Sequence, residues 1–357
     1  MMGQASNVNI AASVSEIAAA LIDIPSVSGA EKEIADIVEG TLTKALHLEV
    51  LRSGNTVVAR TNLGAPFRVL WAGHLDTVPI NANVPHTIEG NLLLGRGSVD
   101  MKAGVAIGLK LAVELSAPRY DMTWIFYDNE EVEAKKNGLG LLGAAHPEWL
   151  TGDFALVGEP SHGAIEAGCN GTLRAEIVAS GVRAHSARSW MGSNAIHSAS
   201  EILGILQAYQ PREVDVEGLV YKEGLNAVAI SGGIAGNVIP DECIVTINYR
   251  FAPNRSLHEA TNHIEELFSG FEVRVVDAAP GALPGITSEL GTEFVKSMGV
   301  AVTPKYGWTD VARFSEWGIP AVNFGPGDPS LAHADDERVE ISDIDAVYGA
   351  MKKWLSS

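Results

Sequence analysis

Five side chains with the chemistry of metal ligands stand at strand and loop ends: His74, Asp100, Glu131, Glu159 and His333. In Gly73-His74-Leu75-Asp76 a histidine closes a strand-like run and an aspartate follows two residues on, so both side chains project from the same face. Asp76 can then accept the second ring N–H of a metal-bound imidazole and fix its tautomer. Asp100 ends GRGSVD ahead of a helical run, where a short carboxylate can bridge two ions and the glycines permit close backbone approach. Glu130 and Glu131 close WIFYDNEE. Neighbours on a strand point to opposite sides, so one of the two carboxylates can bind metal while the other stays free as a general base. Alone, each has an ordinary explanation: a surface His-Asp pair, a helix N-cap, an acidic turn, a loop acid, a surface histidine. Together they offer two imidazoles and three carboxylates, a donor set that suits a pair of zinc ions with an open position for water.

Those side chains need elements to aim them. Helical periodicity covers residues 13–23 and 30–47, with Ser28 placed to cap the second helix. Strand-like LHLEVLR, TVVART and FRVLWAGHLD follow, then a helix over MKAGVAIGLKLAVEL and strands MTWIFYDNEE and FALVGEP. Strands alternating with helices predict an α/β fold with a mixed, largely parallel sheet, whose ligands gather beyond the carboxyl ends of the strands. Near residue 172 the pattern becomes strand, helix, strand, strand, helix, strand (LRAEIVASG to EVRVVDAA), the two-layer ferredoxin-like order. This predicts an α+β domain of residues 173–286 inserted into a catalytic domain of residues 1–172 and 287–357, which the last helix, SDIDAVYGAMKKWLS, completes.

Composition narrows the function classes. A chain of 357 residues exceeds the size at which one core keeps growing, and 46% hydrophobic against 19% charged residues describes a folded enzyme. A formal charge of −19 argues against nucleic acid or an anionic membrane as partner. Cys169 and Cys243 lie in apolar stretches far apart and are expected as reduced core residues. Residues 1–20 have no basic segment ahead of their apolar run and no window spans a bilayer, so the expected location is the cytoplasm. Gly138-Leu-Gly140-Leu-Leu-Gly143 spells a dinucleotide fingerprint but follows polar EEVEAKKN instead of a strand, and is set aside. His258 and His263 are five apart and miss a shared helical face, and Ser161 has no nucleophile elbow around it.

In order and spacing, AGHLDTVP, GRGSVDMKAG, DNEE, GEPS and the late His333 resemble the M20 metallopeptidase and deacylase family over essentially the whole chain. The resemblance implies a zinc-exopeptidase-like catalytic domain with Asp100 bridging two Zn2+ ions, which Co2+ can replace. His74 and Glu159 would complete one shell and Glu131 and His333 the other, with Glu130 as base then acid. It also implies a cis peptide between Asp100 and Met101. IEAGCNGTLR, RAHSARSWMGSNAIH, GNVIPDECIVTINYRFAPN and KYGWTDVARF are similar to an actinobacterial branch that removes succinate from N-succinyl-LL-2,6-diaminopimelate. Acetylornithine, another N-acyl amino acid or a small peptide is the competing substrate, because rim contacts and not metal motifs set that choice. A non-catalytic binding member would lack a ligand or the base, and none is missing. The inserted domain is implied to act as a lid and homodimer interface that brings His185 to the partner's oxyanion. A substrate with several carboxylates entering an acidic protein needs local donors, for which Arg250, Asn237, Arg174, Thr309 and Arg313 are the candidates.

Overall fold

Val69, Leu70, Trp71 and Ala72 are apolar without alternation, as a strand covered on both faces must be. In the computed structural model they form the strand Arg68–His74 near the middle of an eight-stranded sheet. The structure describes residues 8–356, so the parts of the expected N-terminal segment and catalytic domain that fall on 1–7 and 357 lie outside the described residues. The sheet runs in the order Glu49–Ser53, Thr56–Arg60, Asp121–Tyr127, Arg68–His74, Phe154–Val157, Ala321–Asn323, Ile165–Ala167, Val302–Pro304. Its four consecutive strands from Asp121–Tyr127 to Ala321–Asn323 pair in parallel, while Thr56–Arg60 and Ile165–Ala167 flank them antiparallel.

Helix Ala103–Glu114 is buried along nearly its whole length, and its two glycines explain how close it comes to the sheet. A Cβ on Gly104 would stand 2.2 Å from the Gly158 carbonyl oxygen, and one on Gly108 would stand 2.4 Å from Trp71 Nε1. Helix Val14–Ile22 starts with a capping box between Ser13 and Glu16. The second helix spans Lys32–Leu42 without a side-chain cap, and Ser28, expected to cap it, donates to Asp76 Oδ2 at 2.7 Å instead. The glycine-rich run at Gly138 folds as helix Gly138–Ala145, its glycines accommodating Asp128, Arg313 and Trp317.

The chain forms two units: one comprises the residues to Ala167 with Gly285–Thr303 and Arg313–Ser357, the other Gly168–Pro284 with Pro304–Ala312. The second unit therefore takes in a return segment, with Thr309, beyond the 173–286 expected from sequence. Its four strands, Gly171–Ser180, Gly224–Gly232, Glu242–Phe251 and Glu272–Ala279, pair antiparallel with the last beside the first and the second at the far edge. Cys243, Val245, Ile247, Tyr249 and Phe251 alternate into a core with Ile202 and Ile264 from helices Ala195–Ala208 and Leu257–Leu267, and with Phe268, which ends the second of them. Both cysteines are free and buried. No helix among the described residues is long and apolar enough to cross a membrane.

Candidate metal centre

The four parallel strands of the first unit point their carboxyl ends the same way, and each delivers a donor there. His74 closes its strand, Glu131 follows Asp121–Tyr127 after a turn, Glu159 follows Phe154–Val157, and His333 lies on the segment after Ala321–Asn323. Asp100 comes from a distorted turn ahead of helix Ala103–Glu114. Gly97 opens that turn at φ +81, where a Cβ would also meet Thr77 Cγ2 at 2.7 Å. The Asp100–Met101 peptide is cis.

Asp100 divides its carboxylate between two imidazoles. Oδ1 lies 3.0 Å from His74 Nε2, and Oδ2 lies 3.3 Å from His333 Nε2. His74 Nε2 is also 3.9 Å from Glu159 Oε1, and His333 Nε2 is 3.0 Å from Glu131 Oε2. Donor atoms of His74, Asp100 and Glu131 all fall within 4.8 Å of one another. The arrangement is two overlapping donor groups that share one carboxylate, made of nitrogen and oxygen without thiolate, and it fits a pair of divalent ions.

The electrostatics are those of a cation site. Burial disfavours a charged His74, yet Asp100 and Asp76 outweigh it and hold the imidazole pKa well above its ordinary value. Hydrogen bonds to Asp100 and Glu131 push His333 up to about 10. Burial alone would raise Asp100, but the two imidazoles hold its carboxyl well below the usual range. Metal ions compete with protons for these same atoms, so a site that attracts positive charge this strongly is prepared for cations.

Asp76 has more partners than the sequence suggests. The closer acceptor for His74 Nδ1 is the main-chain carbonyl of Asp76 at 3.0 Å, with the Asp76 carboxylate at 3.5 Å. That carboxylate also takes the backbone N–H groups of Glu130 and Glu131 at 2.9 and 3.1 Å, and the Ser28 hydroxyl. The strand ends at Tyr127, so Glu130 and Glu131 sit in a turn gripped by Asp76 and not on opposite faces of a strand. Sequence reasoning missed Ser28 in this role, and a contact spanning 48 residues leaves no local signal.

The other expected site residues lie elsewhere in the fold. Arg313 belongs to the first unit and packs over Gly140. His185, Arg174, Asn237, Arg250 and Thr309 belong to the second unit. There His185 is exposed, its Nδ1 accepting the Ala187 N–H at 3.1 Å, and the Asn237 carbonyl accepts the N–H of Ser186 beside it. Arg250 lies on the helix-free face of its sheet and donates through Nε to Asn248 Oδ1 at 3.1 Å. Arg174 is half-exposed and 3.7 Å from Asp277, and Thr309 is buried.

The sequence pattern of peptidase family M20/M25/M40 matches residues 70–357. A Mycobacterium tuberculosis protein named as a candidate succinyl-diaminopimelate desuccinylase, DapE, is 51% identical over 343 residues, covering 95% of this chain and 97% of its own. A Corynebacterium glutamicum protein named succinyl-diaminopimelate desuccinylase is 48% identical over 94% of both chains. Among solved structures, the aminopeptidase PepT of Bacillus cereus superposes with a TM-score of 0.78 over 98% of each chain at 17% identity, a likeness of fold.

Proposed function

The chain belongs to peptidase family M20/M25/M40, and from that premise we propose that this hydrolase removes succinate from N-succinyl-LL-2,6-diaminopimelate, releasing LL-2,6-diaminopimelate. The family is metal-dependent, and the observation that carries the proposal is the Asp100 carboxylate, one oxygen toward each imidazole. In this reading Asp100 would be the ligand shared by two zinc ions. His74 and Glu159 would hold one ion and Glu131 and His333 the other, and cobalt could substitute because the donors are nitrogen and oxygen. When bound, the zinc pair supplies Lewis acidity for the amide carbonyl and lowers the pKa of the attacking water.

The remaining chemistry falls to side chains. Glu130, held beside Glu131 by the Asp76 carboxylate, takes the proton of the attacking water and returns it to the departing amine. His185 donates to the developing oxyanion. Arg250, Arg174 and Arg313, with Asn237 and Thr309, receive the substrate carboxylates, which an acidic protein must attract locally. We assign His185 its role in a homodimer formed through the second unit, where each subunit serves the other's centre. Support for that interface is the edge strand Gly224–Gly232, whose Val228 and Ile230 are 58% and 54% exposed. The reaction is placed in the cytoplasm, consistent with two unpaired cysteines.

The test is amine release from N-succinyl-diaminopimelate, N-acetylornithine and a dipeptide panel with zinc present. The highest kcat/KM is expected for the succinylated substrate, and a preference for either of the others would refute the assignment.

A further inference from the structure

Arg96 and Glu337 are 241 residues apart in sequence and meet inside the first unit, with side chains 4% and 1% exposed. Arg96 Nη1 donates to Glu337 Oε2 at 2.8 Å and to the carbonyl of Ala334, the residue after His333, at 3.1 Å. Glu337 Oε1 accepts the backbone N–H groups of Val99 and Asp100, each at 3.1 Å. The Glu337 carbonyl accepts the N–H of Gly95 at 3.0 Å. One buried ion pair thus grips the backbone on both sides: the turn that carries Asp100 and the loop that carries His333.

As a source of stability such a pair is poor, because removing two charges from water offsets most of their attraction. As a geometric constraint it is effective. A carboxylate that accepts two consecutive amides fixes the plane of the Val99–Asp100 peptide, and the arginine ties that carboxylate to the chain beside His333. The distance between Asp100 Oδ2 and His333 Nε2, 3.3 Å, is set across this join.

We propose that Arg96 and Glu337 are positioning residues for the metal centre, a clip that holds the Asp100 carboxylate and His333 in register for both ions. The proposal rests on the reading of Asp100 as the bridging ligand. Groups that orient metal ligands in this way typically govern metal affinity or activity by 10- to 100-fold.

The test uses the full chain, stripped of metal with a chelator. Glu337→Gln keeps the size of the side chain but places an amide where one oxygen meets a donor. Zn2+ binding by calorimetry, the visible spectrum of the Co2+-loaded protein, and kcat and KM are measured together. The expected result is Zn2+ binding weakened about 10- to 100-fold, a changed Co2+ spectrum, and a lowered kcat at nearly unchanged KM. Wild-type affinity and spectrum in Glu337→Gln would overturn the clip and leave the two-metal reading standing. Failure of the parent chain to take up two ions, or of Asp100→Ala to weaken uptake, would overturn the two-metal reading itself. Ile344→Ala, a change at a fully buried site in the C-terminal helix, controls for lost stability. It should lower Tm without moving the spectrum, and an equal spectral change there would overturn the clip. Should Glu337→Gln not fold, Arg96→Lys, which keeps the charge and loses the guanidinium fork, is measured the same way. A loss of about tenfold or more is expected and unchanged affinity would overturn the proposal.

Discussion

Asp76, buried, and Asp100, partly buried, both lie near His74, yet their surroundings set them to different work. Asp100 turns its oxygens toward two imidazoles, whereas Asp76 spends its carboxylate on the amides of Glu130 and Glu131 and on Ser28. In the proposed reaction this makes Asp76 the group that presents Glu130. Glu130→Gln should therefore keep both metal ions, by elemental analysis, while kcat falls about 10²- to 10⁴-fold, the usual worth of a general base. Turnover within a fewfold of the parent would remove Glu130 from that role. His74, Asp100, Glu131, Glu159 and His333 were singled out in the sequence because they are metal-capable side chains at strand and loop ends. The grip of Asp76 on two amides was not, since backbone partners leave no trace in residue types. Arg96 and Glu337 were missed for a related reason: each is one charge inside a motif read for its neighbour, and their meeting depends on 241 residues of intervening fold.

At the scale of elements, the helix Ala103–Glu114 and the strand Phe154–Val157 decide where the centre can form. Gly104 lets the helix backbone sit against Gly158, the residue before Glu159. A methyl group there has no space, so Gly104→Ala should destabilise the protein by about 1–3 kcal/mol, an overpacking cost, and weaken zinc binding by displacing Glu159. Thermal unfolding and metal titration check it, and an unchanged Tm would show that the helix can move aside. Most strands and helices were readable from period and length, whereas Ser256, which caps helix Leu257–Leu267, was not singled out. The disagreements fall where a side chain serves a distant partner: Ser28 leaves its helix for Asp76, and DNEE leaves its strand because Asp76 holds it as a turn. Short pairings such as Glu213–Val216 with Leu219–Lys222 were passed over, being too brief to show a period.

For the whole molecule, the change of pattern near residue 172 marked where a second unit begins, and the observed strand order follows from that pattern. The return of Pro304–Ala312 to that unit was invisible, because packing and not periodicity decides which unit a connecting segment joins. A net charge of −19 is unfavourable for a multiply anionic substrate, which the proposed centre offsets with two divalent ions and a few cations. The proposed reaction therefore depends on the metals, which a titration can probe. Zinc is returned stepwise to the metal-free chain while bound zinc per chain and amine release from N-succinyl-diaminopimelate are followed together. The prediction is that the full rate is reached only at two ions per chain. A full rate with one ion or none would contradict a centre built around a shared Asp100.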